Sequence, residues 1–282
     1  MKYVEIHIPY NSRNDIFHLY PFGDLHLGHV NTHIELIKRT VAVIEKDRFA
    51  RVICMGDYGN VDIPGDKFFD FNSLDLAHYP TPDLQYAGVM EQFTKIKGKI
   101  DILLTGNHDD RMAVKHGHNY VEDMAKQLGV PWGWTGAYVR YIFKRKGSNW
   151  GGNTGPAVWT YDVYASHGFA VEMRKSGSRV NRILEMANVF PYADLYLMGH
   201  VHTLDINRRT PLRYTKKGKI EETIKYYVLT GGFLRGYVDG NPSYIERKML
   251  EPQALGSPII AIKPNTHEVN AGEVFQGVPV TP

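Results

Sequence analysis

This sequence predicts an α/β fold, and three observations predict it. Short β-branched and aliphatic runs recur and stop at glycine, acid, amide or imidazole, as where Val52-Ile53-Cys54-Met55 meets Gly56-Asp57. Runs of that length, bounded in that way, read as buried strands. Between them lie segments whose apolar residues recur at three- and four-residue intervals, the spacing of one helix face. Strand, helix and strand in succession make a βαβ crossover, which implies a parallel pair under helical cover.

Taken in order, Lys2–Ile8 and Ile16–Phe22 read as strands joined through the turn-rich Asn11-Ser12-Arg13-Asn14. Asn31 is placed to cap a helix running to about Lys46, in which Ile34, Ile37, Val41 and Ile44 share a face. The strand at Val52 follows. From Asp62 to Asp83 the chain mixes Pro64, Gly65, Pro80 and Pro82 with Phe68, Phe69, Phe71 and Tyr79. So long a connection with aromatics packs on something: either the neighbouring Asp57 site or its own patch of core.

Leu84–Lys97 reads as a helix and Ile100–Leu104 as a strand ending at Gly106-Asn107-His108-Asp109, followed by a short helix over Val121–Leu128 that stops at Gly129. Strands are expected at Ala137–Phe143 and Val158–Ser166, separated by a Gly-rich loop from Gly147 to Pro156. Ser178 is placed to cap a helix that has ended by Pro191, and Asp194–Met198 is again a strand. Lys216-Lys217-Gly218-Lys219 reads as a hairpin tip, Thr223–Thr230 as its returning strand and Ile259–Ile262 as a further strand, with a loosely held tail from Asn265. One domain is expected over residues 1–282, with a catalytic core at about 16–235 and a C-terminal extension over 241–282.

The 282 residues carry a net charge of +3, far from the basicity of a dedicated nucleic-acid wrapper. Cys54 is the one cysteine, which excludes an internal disulfide and fits an intracellular, cytoplasmic protein. No stretch approaches ~18 uninterrupted apolar residues, so no membrane span is expected.

The strand ends carry the chemistry. In open α/β sheets ligands gather beyond the carboxyl ends of strands, and these runs deliver Asp24 and His26, Asp57, Asn107 and His108, His167, and His200 with His202. Two adjacent dications at ~3.5–4 Å repel strongly and need a bridging ligand among mixed oxygen and nitrogen donors, for which Asp57 is the candidate. On an extended backbone, residues two apart point to one side, so Asp24 and His26 can both face one ion, and His200 and His202 can both turn toward the pair. His7, His18, His33, His78 and His267 read as structural or solvated, and His116 with His118 as surface loop.

The ordered set Asp24-x-His26, Gly56-Asp57-x-x-Asn60, Gly106-Asn107-His108-Asp109, His167 and Gly199-His200-x-His202 resembles the calcineurin-like metallophosphoesterase superfamily. The resemblance implies a four-layer αββα sandwich of two mixed sheets flanked by helices, with a dinuclear metal site at strand ends. It further implies that Asp24, His26, Asp57 and His202 bind one divalent ion, and that Asp57, Asn107, His167 and His200 bind the other. Phosphoester hydrolysis by a hydroxide bridging the metals would follow, with His108 protonating the leaving oxygen and Asp109 as its carboxylate neighbour. Manganese is the implied metal, and a donor set without thiolate also admits Zn, Fe, Ni or Co.

The Ser/Thr phosphatases of that superfamily carry an arginine soon after the bridging aspartate block, whereas here Asn60 is followed by Val61 and Asp62. A diester has one anionic charge and depends less than a monoester on a guanidinium clamp, so a phosphodiester of nucleic acid or a nucleotide is the expected substrate. A phosphatase and a non-hydrolytic, nucleic-acid-binding subunit are the alternatives. Arg111, Arg174, Arg179, Arg182 and His29 are candidate substrate contacts. Lys175 and Ser176-Gly177-Ser178 lie beside them, and Arg140, Lys144, Arg145 and Lys146 with Tyr138 and Tyr141 suit nucleic acid or a soluble outer strand. With Gly231-Gly232-Phe233-Leu234-Arg235-Gly236-Tyr237, the whole chain resembles phage and bacterial metallophosphoesterases.

Overall fold

A computed structural model describes residues 1–65, 69–146, 157–169, 175–215, 218–241 and 243–274. Two six-stranded sheets lie face to face. The first has the order β1 (Lys2–Tyr10), β6 (Gly136–Arg145), β7 (Val158–Ser166), β8 (Leu195–Met198), β12 (Lys225–Thr230), β9 (Leu204–Arg209). The second has the order β14 (Glu268–Val274), β13 (Pro258–Lys263), β2 (Phe17–Phe22), β3 (Ala50–Cys54), β4 (Ile100–Leu104), β5 (Trp132–Gly133).

Both sheets are mixed, and alternation explains the layers. Odd and even side chains of a strand face opposite ways, so in β3 Ile53 joins the inter-sheet core with Leu19, Ile102, Val139 and Leu197, while Val52 and Cys54 face the helices. On that outer side α1 (Ile34–Lys46), α2 (Pro82–Lys95) and α4 (Tyr120–Leu128) bury Ile37, Val41, Val89, Phe93 and Met124. On the outer side of the other sheet α5 (Ser176–Val189) packs Ile183 and Met186 against Tyr196, Met198 and Tyr227. The layers are therefore helix, sheet, sheet, helix. Burying each large aliphatic side chain contributes about 1.5–3 kcal/mol.

The βαβ reading of β2, α1 and β3 holds, and the two strands are parallel. Several local expectations do not. Asn31 does not cap α1: the N-cap is His33, whose Nδ1 accepts from Leu36 N at 3.3 Å, while Asn31 is buried and donates to the carbonyl of Asn241. Ser178 lies inside α5, whose N-cap position is Lys175. Of the tail from Asn265, Glu268–Val274 forms β14 on β13, which itself pairs with β2, and 275–282 lie outside the described residues. Nor is β6 an outer strand; it lies between β1 and β7, and Arg140 is spent on a bidentate pair with Asp162 at 2.7 and 2.8 Å.

The Gly-rich loop at 147–156 and the lysine pair 216–217 lie outside the described residues. On either side of that pair, β10 (Leu212–Tyr214) and β11 (Ile220–Glu222) form an antiparallel ribbon. The described residues hold two further α-helices, α3 (Asn107–His116) and α6 (Tyr244–Arg247). No helix among the described residues is long and apolar enough to cross a membrane.

Candidate metal centre

The site lies where β2, β3, β4, β7 and β8 end, and backbone hydrogen bonds stitch the loops beyond them together. Asp24 N donates to Gly56 O at 2.8 Å, Leu25 N to Asp57 O at 2.9 Å and Leu27 N to Tyr58 O at 2.9 Å, continuing the β2–β3 pairing into the motifs. His167 N donates to Thr135 O at 2.8 Å and Phe233 N to Asp24 O at 3.0 Å, which anchors the loops from the other sheet.

Five of the seven candidate ligands do not stand on extended backbone. Asp24, His26, Asp57, His200 and His202 have φ of 51°, 49°, 51°, 68° and 50°. This left-handed region is uncommon outside glycine and costs on the order of 1–3 kcal/mol where it is strained. The two-residue spacing therefore works through turned backbone rather than through strand alternation. Gly56, at φ 95°, and Gly106 let the β3 and β4 loops close on each other: a Cβ on Gly106 would fall on the Asp57 carboxylate and amide.

Three sets of donor atoms each lie within 4.8 Å of one another: Asp24, His26 and His202; Asp57, His167 and His200; and His26, Asp57 and His108. Asp57 Oδ2 stands 3.6 Å from His26 Nε2 and 3.3 Å from His167 Nε2, so one carboxylate oxygen serves both sides. His26 Nε2 meets His202 Nε2 at 2.9 Å, and His202 Nε2 is 3.4 Å from Asp24 Oδ1. Asn107 Oδ1 lies 3.0 Å from His167 Nε2 and 2.7 Å from His200 Nδ1. The seven residues read from the sequence as ligands thus converge.

Donor chemistry fits a cation. His167 turns Nδ1 to the carbonyl of Met55 at 2.8 Å, which directs its Nε2 at oxygens that accept but cannot donate. Burial opposes charge on that ring, yet Asp57 beside it raises it to about 10; the pocket's field favours positive charge there. Burial would raise Asp57, but the rings of His167 and His108 hold it well below the ordinary carboxylate range. Burial lowers His26 well below its ordinary value and takes His200 to about 4, leaving neutral rings of the kind that ligate metals. These residues could hold two divalent ions with Asp57 between them.

The His108 ring stands 4.6 Å from that of His26, at 88°. Its Nδ1 faces the carbonyl of Asn60 at 2.6 Å and its backbone N donates to Asp57 Oδ1 at 2.8 Å. Nε2 is left for the pocket, where Arg111 Nη2 is 3.3 Å away.

Asp109 is not the carboxylate neighbour of His108. Its Oδ2 accepts from Asp57 N at 2.7 Å and Gly106 N at 2.9 Å, and its Oδ1 from Tyr58 N at 3.2 Å and the Tyr86 hydroxyl at 2.6 Å. The reason is helical geometry. Asn107 opens α3, successive residues of a helix point about 100° apart, and Asp109 at the third position turns back to its N-terminus.

Of the expected substrate contacts, the structure brings Arg111 to the site. His29 is nearby: its Nδ1 accepts from Asn31 N at 3.0 Å, its backbone bridges Leu74, and burial lowers it to about 4. Arg179 is buried toward Glu251, and Arg182 lies over the Phe169 ring at 3.7 Å while pairing with Glu185. No hydrogen bond or ion pair among the described residues joins either arginine to the ligand cluster. Arg174 lies outside the described residues. His116 and His118 are exposed, and His118 pairs with Asp123.

Both expectations for this connection are met in part: Ser73 and Asp75 reach the rim of the site, while Tyr79 packs on the core beneath α2. Val30 N donates to Ser73 O at 2.8 Å and Asp75 N to Gly28 O at 2.9 Å, both just beyond Asp24 and His26. Sequence reading missed Asp62, Ser73 and Tyr86, which contact the site's supports. Asp62, in the place where an arginine was sought, was the available signal.

No protein-family model matches this chain, and no curated protein matches it. Among solved structures it is similar to a metallophosphoesterase from Sphaerobacter thermophilus (12% identity, 92% of this chain and 89% of that one, TM-score 0.37). It is similar also to a nuclease MPE from Pseudomonas putida (15%, 90% and 86%, 0.32) and to a D62A mutant of Vps29 from Entamoeba histolytica (10%, 86% and 85%, 0.39). Likenesses of this size leave the chemistry to be argued from the residues of the chain itself.

Proposed function

We propose that this chain is a two-metal phosphoesterase of the calcineurin-like kind, acting as a single domain on phosphodiesters of nucleic acid or nucleotides. The observation that carries the reading is the position of Asp57 Oδ2 between His26 and His167, with Asp24 and His202 on one side and Asn107 and His200 on the other. Two divalent ions held there, manganese favoured, would neutralise the ester's anionic oxygens and lower the pKa of water toward neutrality.

The chain's own groups do the rest. The Asn60 carbonyl takes the Nδ1 proton of His108 and leaves Nε2 facing the pocket; with the ring protonated, Nε2 would give its proton to the departing oxygen while Arg111 Nη2 turns to the phosphate. Asp109 and Gly106 keep the β3 and β4 loops together, which fixes Asp57 relative to Asn107. His200 N donates to both carboxylate oxygens of Asp24, at 3.0 and 3.2 Å, and sets that ligand's plane. Arg111 is the guanidinium at hand for a phosphate oxygen, and a single such group suits the single charge of a diester.

The test is a metal-reconstituted assay of an aryl phosphodiester beside an aryl phosphomonoester, followed by single-stranded DNA and cyclic nucleotides. Faster diester turnover is expected, and a monoester faster by a wide margin overturns the substrate assignment. Asp57→Asn should lose both metals and turnover, whereas His108→Ala should keep the metals and lose rate. Equal metal loss in both variants contradicts the division of roles.

A further inference from the structure

Asp62 is buried to 9% side-chain exposure at the edge of the site and is shared among three partners. Its Oδ1 accepts from Arg111 Nη1 at 3.2 Å and its Oδ2 from Asn60 Nδ2 at 2.7 Å, and the Ser73 hydroxyl shares its one proton between Asp62 Oδ2 at 3.1 Å and the Asp70 carbonyl at 2.7 Å. Each partner belongs to a different part of the centre. Arg111 touches His108 Nε2, the Asn60 carbonyl receives His108 Nδ1, and Ser73 stands on the rim whose carbonyl takes Val30 N. Both ring nitrogens of His108 are therefore reached from Asp62 through one intervening residue.

An unrestrained arginine carries about 2 kcal/mol of rotamer entropy, and its planar fork binds an oxyanion well only if held in one orientation. The Asp62 carboxylate supplies that restraint and is itself oriented by the Asn60 amide and the Ser73 hydroxyl. A guanidinium has five N–H donors, of which these contacts engage two. Resting on the His108 edge, the group lies beside the candidate metal donors, since the His108 ring touches His26 and its backbone N bonds Asp57.

We propose that Asp62 is a positioning residue, which holds Arg111 beside His108 so that its guanidinium receives a phosphate oxygen of the substrate. The assignment rests on the phosphoesterase reading and adds to it. It identifies what stands in for the missing arginine after the bridging block: an acid at position 62 that fixes a guanidinium brought from α3.

The probe is inorganic phosphate, titrated calorimetrically into metal-loaded protein. Asp62→Asn offers one oxygen where two are used and should weaken phosphate about tenfold, the worth of one well-placed charge-assisted bond. The metal content should stay at the wild-type value. Arg111→Ala should weaken phosphate by a similar factor, and the double variant should be no weaker than Arg111→Ala alone, because Asp62 acts through the arginine.

Ser73→Ala, which removes only one support of the carboxylate, should show a smaller loss that vanishes in the Arg111→Ala background; it serves if Asp62→Asn fails to fold. Unchanged phosphate affinity in Asp62→Asn overturns the proposal, and so does a double variant whose loss is the product of the two single losses. A metal-loaded wild type that hydrolyses no ester would instead fell the phosphoesterase reading, while phosphate titration still reports on Asp62.

Discussion

Asp109→Asn separates a structural carboxylate from a catalytic one. The wild-type group accepts from four donors, the backbone N–H groups of Asp57, Tyr58 and Gly106 and the hydroxyl of Tyr86. An amide offers one oxygen and turns an NH2 toward the other two. If the oxygen keeps Asp57 N and Gly106 N, the Tyr86 hydroxyl can rotate to accept, but Tyr58 N is left without an acceptor. A buried orphaned N–H costs about 1–3 kcal/mol, and loss of charge assistance in the retained bonds adds about 1 kcal/mol. A destabilisation of about 3 kcal/mol corresponds to about 6–10 °C in Tm for a chain of this size. Differential scanning calorimetry on metal-free protein reads it without reference to activity. Metal affinity should fall as well, since the released Tyr58 N adjoins Asp57 and the bond kept by Asp57 N loses its charge assistance. An unchanged Tm and unchanged metal content with a large loss of rate would refute this reasoning and restore Asp109 as the partner of His108.

Removing divalent ions with a chelator should lower Tm and adding them back should restore it, by about 2.7 kcal/mol at a free metal concentration of 100 Kd; no change in either direction would argue against a metal centre. Gly106→Ala should abolish metal binding, because its Cβ falls on the Asp57 carboxylate; full metal content in a folded variant would contradict the described packing. Arg51→Ala should destabilise by about 3–5 kcal/mol by leaving a buried acid unpaired, since Asp101, fully buried, is held by Arg51 and by the Tyr141 hydroxyl at 2.8 Å. Urea unfolding checks this value. The Cys54 thiol is fully buried and burial pushes it up, so a thiol reagent should label it only after unfolding; rapid labelling of native protein would place β3 wrongly.

The chain sequence was sufficient for the donors and their order, and for most of the buried strands. Donor identity is covalent, and apolar runs such as Val52–Met55 report burial directly. It was insufficient wherever side-chain direction depends on turned backbone. Asp24 and His26 follow no strand alternation, because both take left-handed φ, and the opposite sheet holds that turn: His200 N, 176 residues away and just beyond β8, donates to the Asp24 carboxylate. The Gly106-Asn107-His108-Asp109 block gave no periodicity by which to see that a helix begins at Asn107, and only that helix turns Asp109 away from His108.

Strand partners were equally hidden. Pairing of β13 with β2 joins residues some 240 positions apart, and nothing local in Ile259–Ile262 specifies it. The sequence by itself determined which atoms could meet a metal ion or a phosphate. Which of them face the same point, and that Asp62 rather than a local arginine organises the guanidinium, only the tertiary structure decided, because burial and hydrogen bonding between distant segments select one side-chain direction from several that the local chain allows.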